Sequence, residues 1–121
     1  MQILGTGVDI VENLRIKKIL KNKLFINRIF STTEISLSKK VNNKANYYSK
    51  RFAAKEAFAK SIGTGFRNNL KFKDITVINN NKGKPSFVIT DKLKKIVKKK
   101  FKTSSFNFFL SISDEKKYSI A

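Results

Sequence analysis

The chain has 121 residues, no Cys and no His, and 27 Lys and Arg against 8 Asp and Glu, for a formal net charge of +19. Without thiols or imidazoles there are no disulfides, zinc sites, thiol nucleophiles or imidazole bases, so any catalysis falls to carboxylates, lysines, hydroxyls, backbone amides or a hard metal ion. No apolar run reaches the roughly 18 residues of a membrane span, and MQILGTGVDIVE lacks the basic flank and small-residue cleavage site of a signal peptide; a soluble, cytoplasmic protein is expected, with residues 1–121 forming one domain.

Ile3 to Val11 reads as a strand, followed by a short helix with Ile16, Ile19 and Leu20 at helical spacing and basic residues on its other side. In FSTTEISL, Ser31 and Glu34 form an S-x-x-E capping box that opens a second helix. VNNKANYYSK is polar and turn-rich until a long helix begins near Tyr48; it ends at Gly63-Thr64-Gly65, where glycines suit a C-terminal cap. Phe72 to Ile78 and Ser86 to Thr90 read as two strands joined by the turn NNNKGKP, a hairpin. Thr90 or Asp91 caps a helix through LKKIVKKKF, with Leu93, Ile96, Val97 and Phe101 on the apolar side. In FNFFLSISDEKKYSIA, Phe106, Phe108, Leu110 and Ile112 alternate with Asn107, Phe109, Ser111 and Ser113, the pattern of a half-buried strand. The class is α+β, a mostly antiparallel sheet packed against a long central helix.

Two carboxylates stand out. RFAAKEAFAKSIGTG at 51–65 is apolar nearly all round on a helical wheel, so Glu56 needs a cation or several donors. Asp9 interrupts the first strand on the side shared by Gly5 and Gly7, which leave room beside it. Two carboxylates on separate rigid elements are ligands that Mg²⁺ accepts when phosphates and water complete its octahedron. Ordinary roles stand beside this one: an i,i+4 pair between Glu56 and Lys60, and an early cap by Asp9 for the helix starting near Asn13. Glu34 is accounted for by its capping box.

GTGVDIVENLRI at 5–16, RFAAKEAFAKSIGTG at 51–65, GKP at 83–85 and SIS near the C-terminus, in that order, resemble the holo-[acyl-carrier-protein] synthases, the small phosphopantetheinyl transferases. The resemblance implies transfer of 4′-phosphopantetheine from coenzyme A to a serine of apo acyl carrier protein, with Mg²⁺, in fatty acid biosynthesis. It implies that Asp9 and Glu56 bind the metal; with no His to compete, Glu56, directly or through a metal-bound water, is the expected base for the serine proton. It also implies that Lys60 and Lys55 contact phosphate oxygens, and that Arg51, the Gly63-Thr64-Gly65 loop and the Gly83-Lys84-Pro85 turn lie at the coenzyme. The acidic carrier protein would dock on Arg15, Lys17, Lys18, Lys21 and Arg28, and the family's single-domain members are homotrimers with sites between subunits. This chain departs from the family in carrying Asp114 where a His commonly follows the SIS stretch, and in stopping at Ala121 where an apolar strand usually continues. A basic nucleic-acid-binding module is the alternative that +19 and KLKKIVKKKFK at 92–102 raise, and a basic amphipathic helix on an anionic membrane is another. Neither explains Asp9 and Glu56. A folded remnant without activity is a third reading, raised by Asp114 and the short C-terminus.

Overall fold

The structure, a computed structural model, describes residues 1–67 and 69–121. Its elements in chain order are β1 (Ile10–Glu12), α1 (Asn13–Ile19), α2 (Lys23–Ile29), α3 (Thr32–Ser38), α4 (Lys44–Ile62), a 3₁₀ turn (Phe72–Asp74), β2 (Val77–Asn79), β3 (Pro85–Phe87), α5 (Asp91–Phe101), β4 (Ser113–Asp114) and β5 (Tyr118–Ile120). The antiparallel strands form two small sheets, β1-β5-β4 and β2-β3.

The long helix α4 is the axis. Its start is earlier than the sequence pattern implies, because Asn43 caps it by accepting from the amide of Asn46 at 3.1 Å. It ends at Gly63, whose φ of +82° is the left-handed geometry that a helix stop requires. Over its 19 residues, about 28 Å, α4 is buried nearly all round. Its N-terminal half packs Tyr47, Tyr48, Phe52 and Ala53 against Val11, Ile16 and Phe30, while its C-terminal half packs Phe58 and Ile62 against Leu70, Ile75, Leu93 and Val97. The apolar material is therefore two clusters strung along one helix.

Several expected elements are trimmed for a common reason: apolar alternation reports which side of a segment is covered, but a strand also needs a ladder partner. The ladder of β1 with β5 extends to Asp9, whose amide and carbonyl pair with Ala121 at 3.0 Å each, and residues 1–8 carry no strand hydrogen bonds. Residues 106–112 keep the expected half-buried and exposed alternation without pairing. The expected strand Phe72 to Ile78 begins as a 3₁₀ turn, because the Asp74 carboxylate accepts from the amide of Lys71 at 2.8 Å and curls the chain. The helix α2 is an addition, started by the Asn22 side chain, which accepts from the amides of Leu24 and Phe25. Thr90, not Asp91, caps α5.

Gly5 and Gly7 do not leave a hole beside Asp9. They let the N-terminal segment lie directly on α4: a Cβ at Gly5 would sit 1.9 Å from the carbonyl oxygen of Ser61, and one at Gly7 1.8 Å from that of Ala57. On α5, Leu93 and Val97 are packed into the core, so the apolar side that a membrane helix would insert is already occupied. Among the described residues no helix is long and apolar enough to cross a membrane.

Replacing Gly7 by Ala is expected to force the segment off α4 and lower stability by about 3 kcal/mol. A urea titration followed by far-UV circular dichroism reads this as a lower midpoint at unchanged slope.

Candidate functional site

Helix α4 carries two charged pairs, each spaced i,i+4: Arg51 with Lys55, and Glu56 with Lys60. Five residues separate Arg51 from Glu56, so the second pair is turned about 140° round the helix from the first. One pair is buried and grips the protein itself. The other faces Asp9.

On the open side, the Asp9 side chain is 17% exposed and its Oδ1 lies 3.1 Å from the ammonium of Lys60, which also donates to the carbonyl of Val8 at 3.0 Å. Lys60 thus crosses to the N-terminal segment and ion-pairs there, not with Glu56. Asp9 does not cap α1 either; Glu12 occupies that cap without a side-chain bond. The first residue of α1, Asn13, is instead pinned by its side chain to the carbonyl of Glu115 at 2.8 Å and to the Ser119 hydroxyl at 2.7 Å. Glu56 is half-buried, and its pKa is raised, first by burial and next by the nearby Asp9 carboxylate, against the opposing pull of Lys60 and Arg15. The Asp9 charge therefore adds to the cost of ionising Glu56, and the ammonium that bridges the two elements is largely exposed.

Such a donor set fits a hard divalent cation. Among the described residues no group of three or more potential metal-ligating side chains occurs, so a cation at Asp9 and Glu56 would take its remaining oxygens from water or from a bound phosphate, the habit of Mg²⁺.

The other face of α4 corrects one expectation. Lys55 is not available to phosphate. Its side chain is 0% exposed, and its ammonium donates to Glu34 Oε1 at 2.7 Å, to the carbonyl of Phe72 at 3.0 Å and to that of Ile75. Burial pulls the Lys55 pKa down, and Glu34 opposes that pull. Glu34 does far more than cap α3: beyond its bond to the Ser31 amide, its second oxygen accepts from the amide of Val77 at 3.1 Å. The adjacent charges Lys55 and Glu56 could have signalled this. Neighbours on a helix point about 100° apart, so in a helix apolar nearly all round one of them had to find an internal partner. The capping box had already explained Glu34, which hid its second role.

Arg51 is buried too, lying over the Tyr47 ring at 3.7 Å and donating from Nη2 to Asn79 Oδ1 at 2.7 Å, while its Nε has no partner. Asn79 in turn donates to the carbonyl of Gly83 at 2.9 Å, so Arg51 holds the 83–85 turn through an intermediary that the sequence pattern did not single out. Gly83 has φ +83°, Lys84 is exposed, and Pro85 begins β3. At the end of α4, Gly63 and Gly65 both have positive φ with open space where a Cβ would stand; the Gly63 amide is used by the helix cap, and the Thr64 hydroxyl donates to the carbonyl of Gly65 at 3.2 Å.

Arg15, Lys17, Lys18 and Lys21 of α1 and its C-terminal turn are exposed, as is Arg28 on α2. Asp114 accepts from the Asn46 side chain at 2.8 Å and lies 3.8 Å from the Lys50 ammonium, so its charge is answered from the first half of α4. A cavity of about 790 Å³ opens between the N-terminal segment, α4, α5 and the 103–111 segment, with Phe58, Phe101, Phe106 and Phe108 in its wall; Asp9 and Glu56 do not line it.

Residues 5–121 match the family model of the 4′-phosphopantetheinyl transferase superfamily. The chain is 75% identical over 121 residues to the holo-[acyl-carrier-protein] synthase of Pelagibacter ubique, covering 100% of this chain and 94% of that one. It is similar in structure to the holo-[acyl-carrier-protein] synthase of Neisseria meningitidis, with a TM-score of 0.88, 36% identity and coverage of 98% and 94% of the two chains. A synthase from Bacillus anthracis in complex with CoA (3′,5′-ADP) aligns with a TM-score of 0.78 at 33% identity, over 99% of this chain and 93% of that one.

Glu56 generates a pH test in protein free of divalent metal. A carboxyl with a raised folded-state pKa favours the native state while protonated, so that advantage is full below the ordinary glutamate value and is lost as pH rises through the raised one. Wild type should therefore lose stability relative to Glu56→Gln as pH climbs through that window, with the difference level above it. Paired urea titrations across pH 4 to 8 at roughly half-unit steps measure it, and a flat difference would contradict the assignment.

Proposed function

Because the chain belongs to the 4′-phosphopantetheinyl transferase superfamily, we propose that it transfers 4′-phosphopantetheine from coenzyme A to a serine of apo acyl carrier protein in the cytoplasm, with residues 1–121 acting as one domain. The single observation that carries the site assignment is that the half-buried Glu56 of α4 lies close enough to Asp9 of the N-terminal segment to feel its charge, while the lysine beside them is largely exposed.

Asp9 and Glu56 would hold Mg²⁺, which when bound neutralises phosphate charge and draws electrons from the phosphorus under attack. Glu56, its pKa raised, takes the proton of the serine hydroxyl. The serine oxygen forms its bond to the β-phosphorus of coenzyme A as the bond to the α-phosphate oxygen breaks, and adenosine 3′,5′-bisphosphate leaves with that electron pair. Lys60, 55% exposed in its side chain and bonded to Asp9 and the Val8 carbonyl, is within reach of the departing phosphate and answers its charge. The left-handed glycines at 63 and 65 keep side chains off the backbone there, so a polyanion can approach the main chain closely. The turn at Gly83, Lys84 and Pro85 contributes the second part of the coenzyme site, with Arg51 behind it.

The carrier protein docks on Arg15, Lys17, Lys18 and Lys21. Arg15 lies near enough to Glu56 to lower its pKa, which supports a docked serine arriving beside the base. Electrostatic attraction of this kind acts chiefly on the encounter rate.

A homotrimer is supported by what a single copy leaves uncovered. Ile3, Val8, Ile10 and Phe109 are each more than half exposed along the N-terminal segment and its neighbour at 106–112, an apolar surface of the kind that marks an interface. The two faces of α4, one beside Asp9 and one behind the 83–85 turn, would then serve two different sites, each completed by a neighbouring copy.

Incubation with coenzyme A, apo acyl carrier protein and Mg²⁺ should add the mass of phosphopantetheine to the carrier, and a chelator should stop it. Glu56→Gln and Asp9→Asn should each lower the rate by roughly a thousandfold while circular dichroism is unchanged; an active Glu56→Gln would overturn the site. Phe109→Asp should shift the sedimentation coefficient from trimer toward monomer and lower activity with it.

A further inference from the structure

Glu34, Lys55 and Asn79 take no part in the chemistry above, yet all three converge on the strand β2. At its entry, the Val77 amide donates to Glu34, and Lys55 holds the carbonyls of Phe72 and Ile75, the two that lead into the strand. At its exit, Asn79 accepts from Arg51 and donates to the carbonyl of Gly83. The helix α4 thus grips both ends of one strand with two cations spaced one turn apart. A two-stranded hairpin is marginal by itself in water, and β2–β3 has only three register pairs. Its placement has to come from such anchors.

We propose that Glu34, Lys55 and Asn79 are positioning residues for coenzyme A, setting where the turn at Gly83, Lys84 and Pro85 stands against the Arg51 face of α4. The inference rests on the reading of that turn as part of the coenzyme site. Directional bonds are the reason. Val77 and Ile75 are buried, so their backbone groups must be satisfied inside, and charged partners on rigid helices satisfy them in only one register. Apolar packing alone would hold the hairpin against α4 but would let it slide. Lys55 also immediately precedes Glu56, so the residue that anchors the hairpin and the residue that takes the proton are fixed by the same turn of helix.

Glu34→Gln keeps the side-chain volume but cannot present acceptors to both Lys55 and Val77 with full strength. Isothermal titration of coenzyme A, at a temperature where circular dichroism shows the variant as folded as wild type, should give a dissociation constant raised roughly tenfold. In turnover the Michaelis constant for coenzyme A should rise while kcat stays within about threefold of wild type. A role confined to stability would lower the number of active molecules and leave affinity unchanged. Asn79→Ala, at an exposed position, guards against a Glu34 variant that does not fold, and it should weaken coenzyme A binding in the same direction. Wild-type affinity in every folded variant would overturn the inference alone. If the wild-type protein itself does not bind coenzyme A, the functional reading falls and this inference falls with it.

Discussion

The ion pair between Glu34 and Lys55 is the constraint that the rest of the structure is arranged around. Both side chains are fully out of water, and each has every polar position answered: the ammonium by one carboxylate and two carbonyls, the carboxylate by Lys55, Ser31 and Val77. Such a pair gains little over an apolar pair of equal volume, but removing one partner costs about 3–5 kcal/mol because the other charge is left buried. Its worth is therefore in what it specifies. It ties α3, α4, the 3₁₀ turn and β2 in one arrangement, and sliding any of them by a residue would strand a charge.

The carboxylates differ in how their charge is answered. Glu34 is neutralised from within, by a lysine that cannot leave. Asp74 is answered by Lys92 at 2.7 Å, and Asp114 by Asn46 and Lys50. Glu12, Asp91 and Glu115 are exposed to water, whereas Glu56 is half-buried near Asp9, whose own partner is the largely exposed Lys60. A protein with 27 basic residues and 8 acidic ones has no shortage of positive charge. Among the described residues Glu56 is nevertheless half-buried with no ion-pair partner, which sets it apart from an ordinary salt bridge.

The same economy of contact governs how the N-terminal segment reaches α4. Two glycines without Cβ atoms bring its backbone onto the helix carbonyls at Ala57 and Ser61, and the next residue on that side is Asp9. The close approach therefore delivers the carboxylate to the level of Glu56 and Lys60. The same segment exposes Ile3, Val8 and Ile10, so the geometry that brings the carboxylates together also leaves an apolar edge in water.

Local rules were enough for everything that depends on near neighbours in sequence. The capping box at Ser31 and Glu34, the glycine stop of the long helix, the hairpin turn at 83–85 and the amphipathic helix after Thr90 all follow from spacings of two to four residues, and all are present. Asp9 and Glu56 were visible because a charge inside an apolar pattern contradicts its surroundings. Tertiary structure alone decided the rest. It turned the gap beside Asp9 into a helix contact, gave Lys60 to Asp9 in place of Glu56, and took Lys55 away from the phosphate and buried it against Glu34, 21 residues distant. The physical reason is that burial and pairing are properties of packed surfaces: sequence periodicity says which side of an element is covered, but not by what, and a buried charge chooses its partner from whatever the fold brings within hydrogen-bond reach.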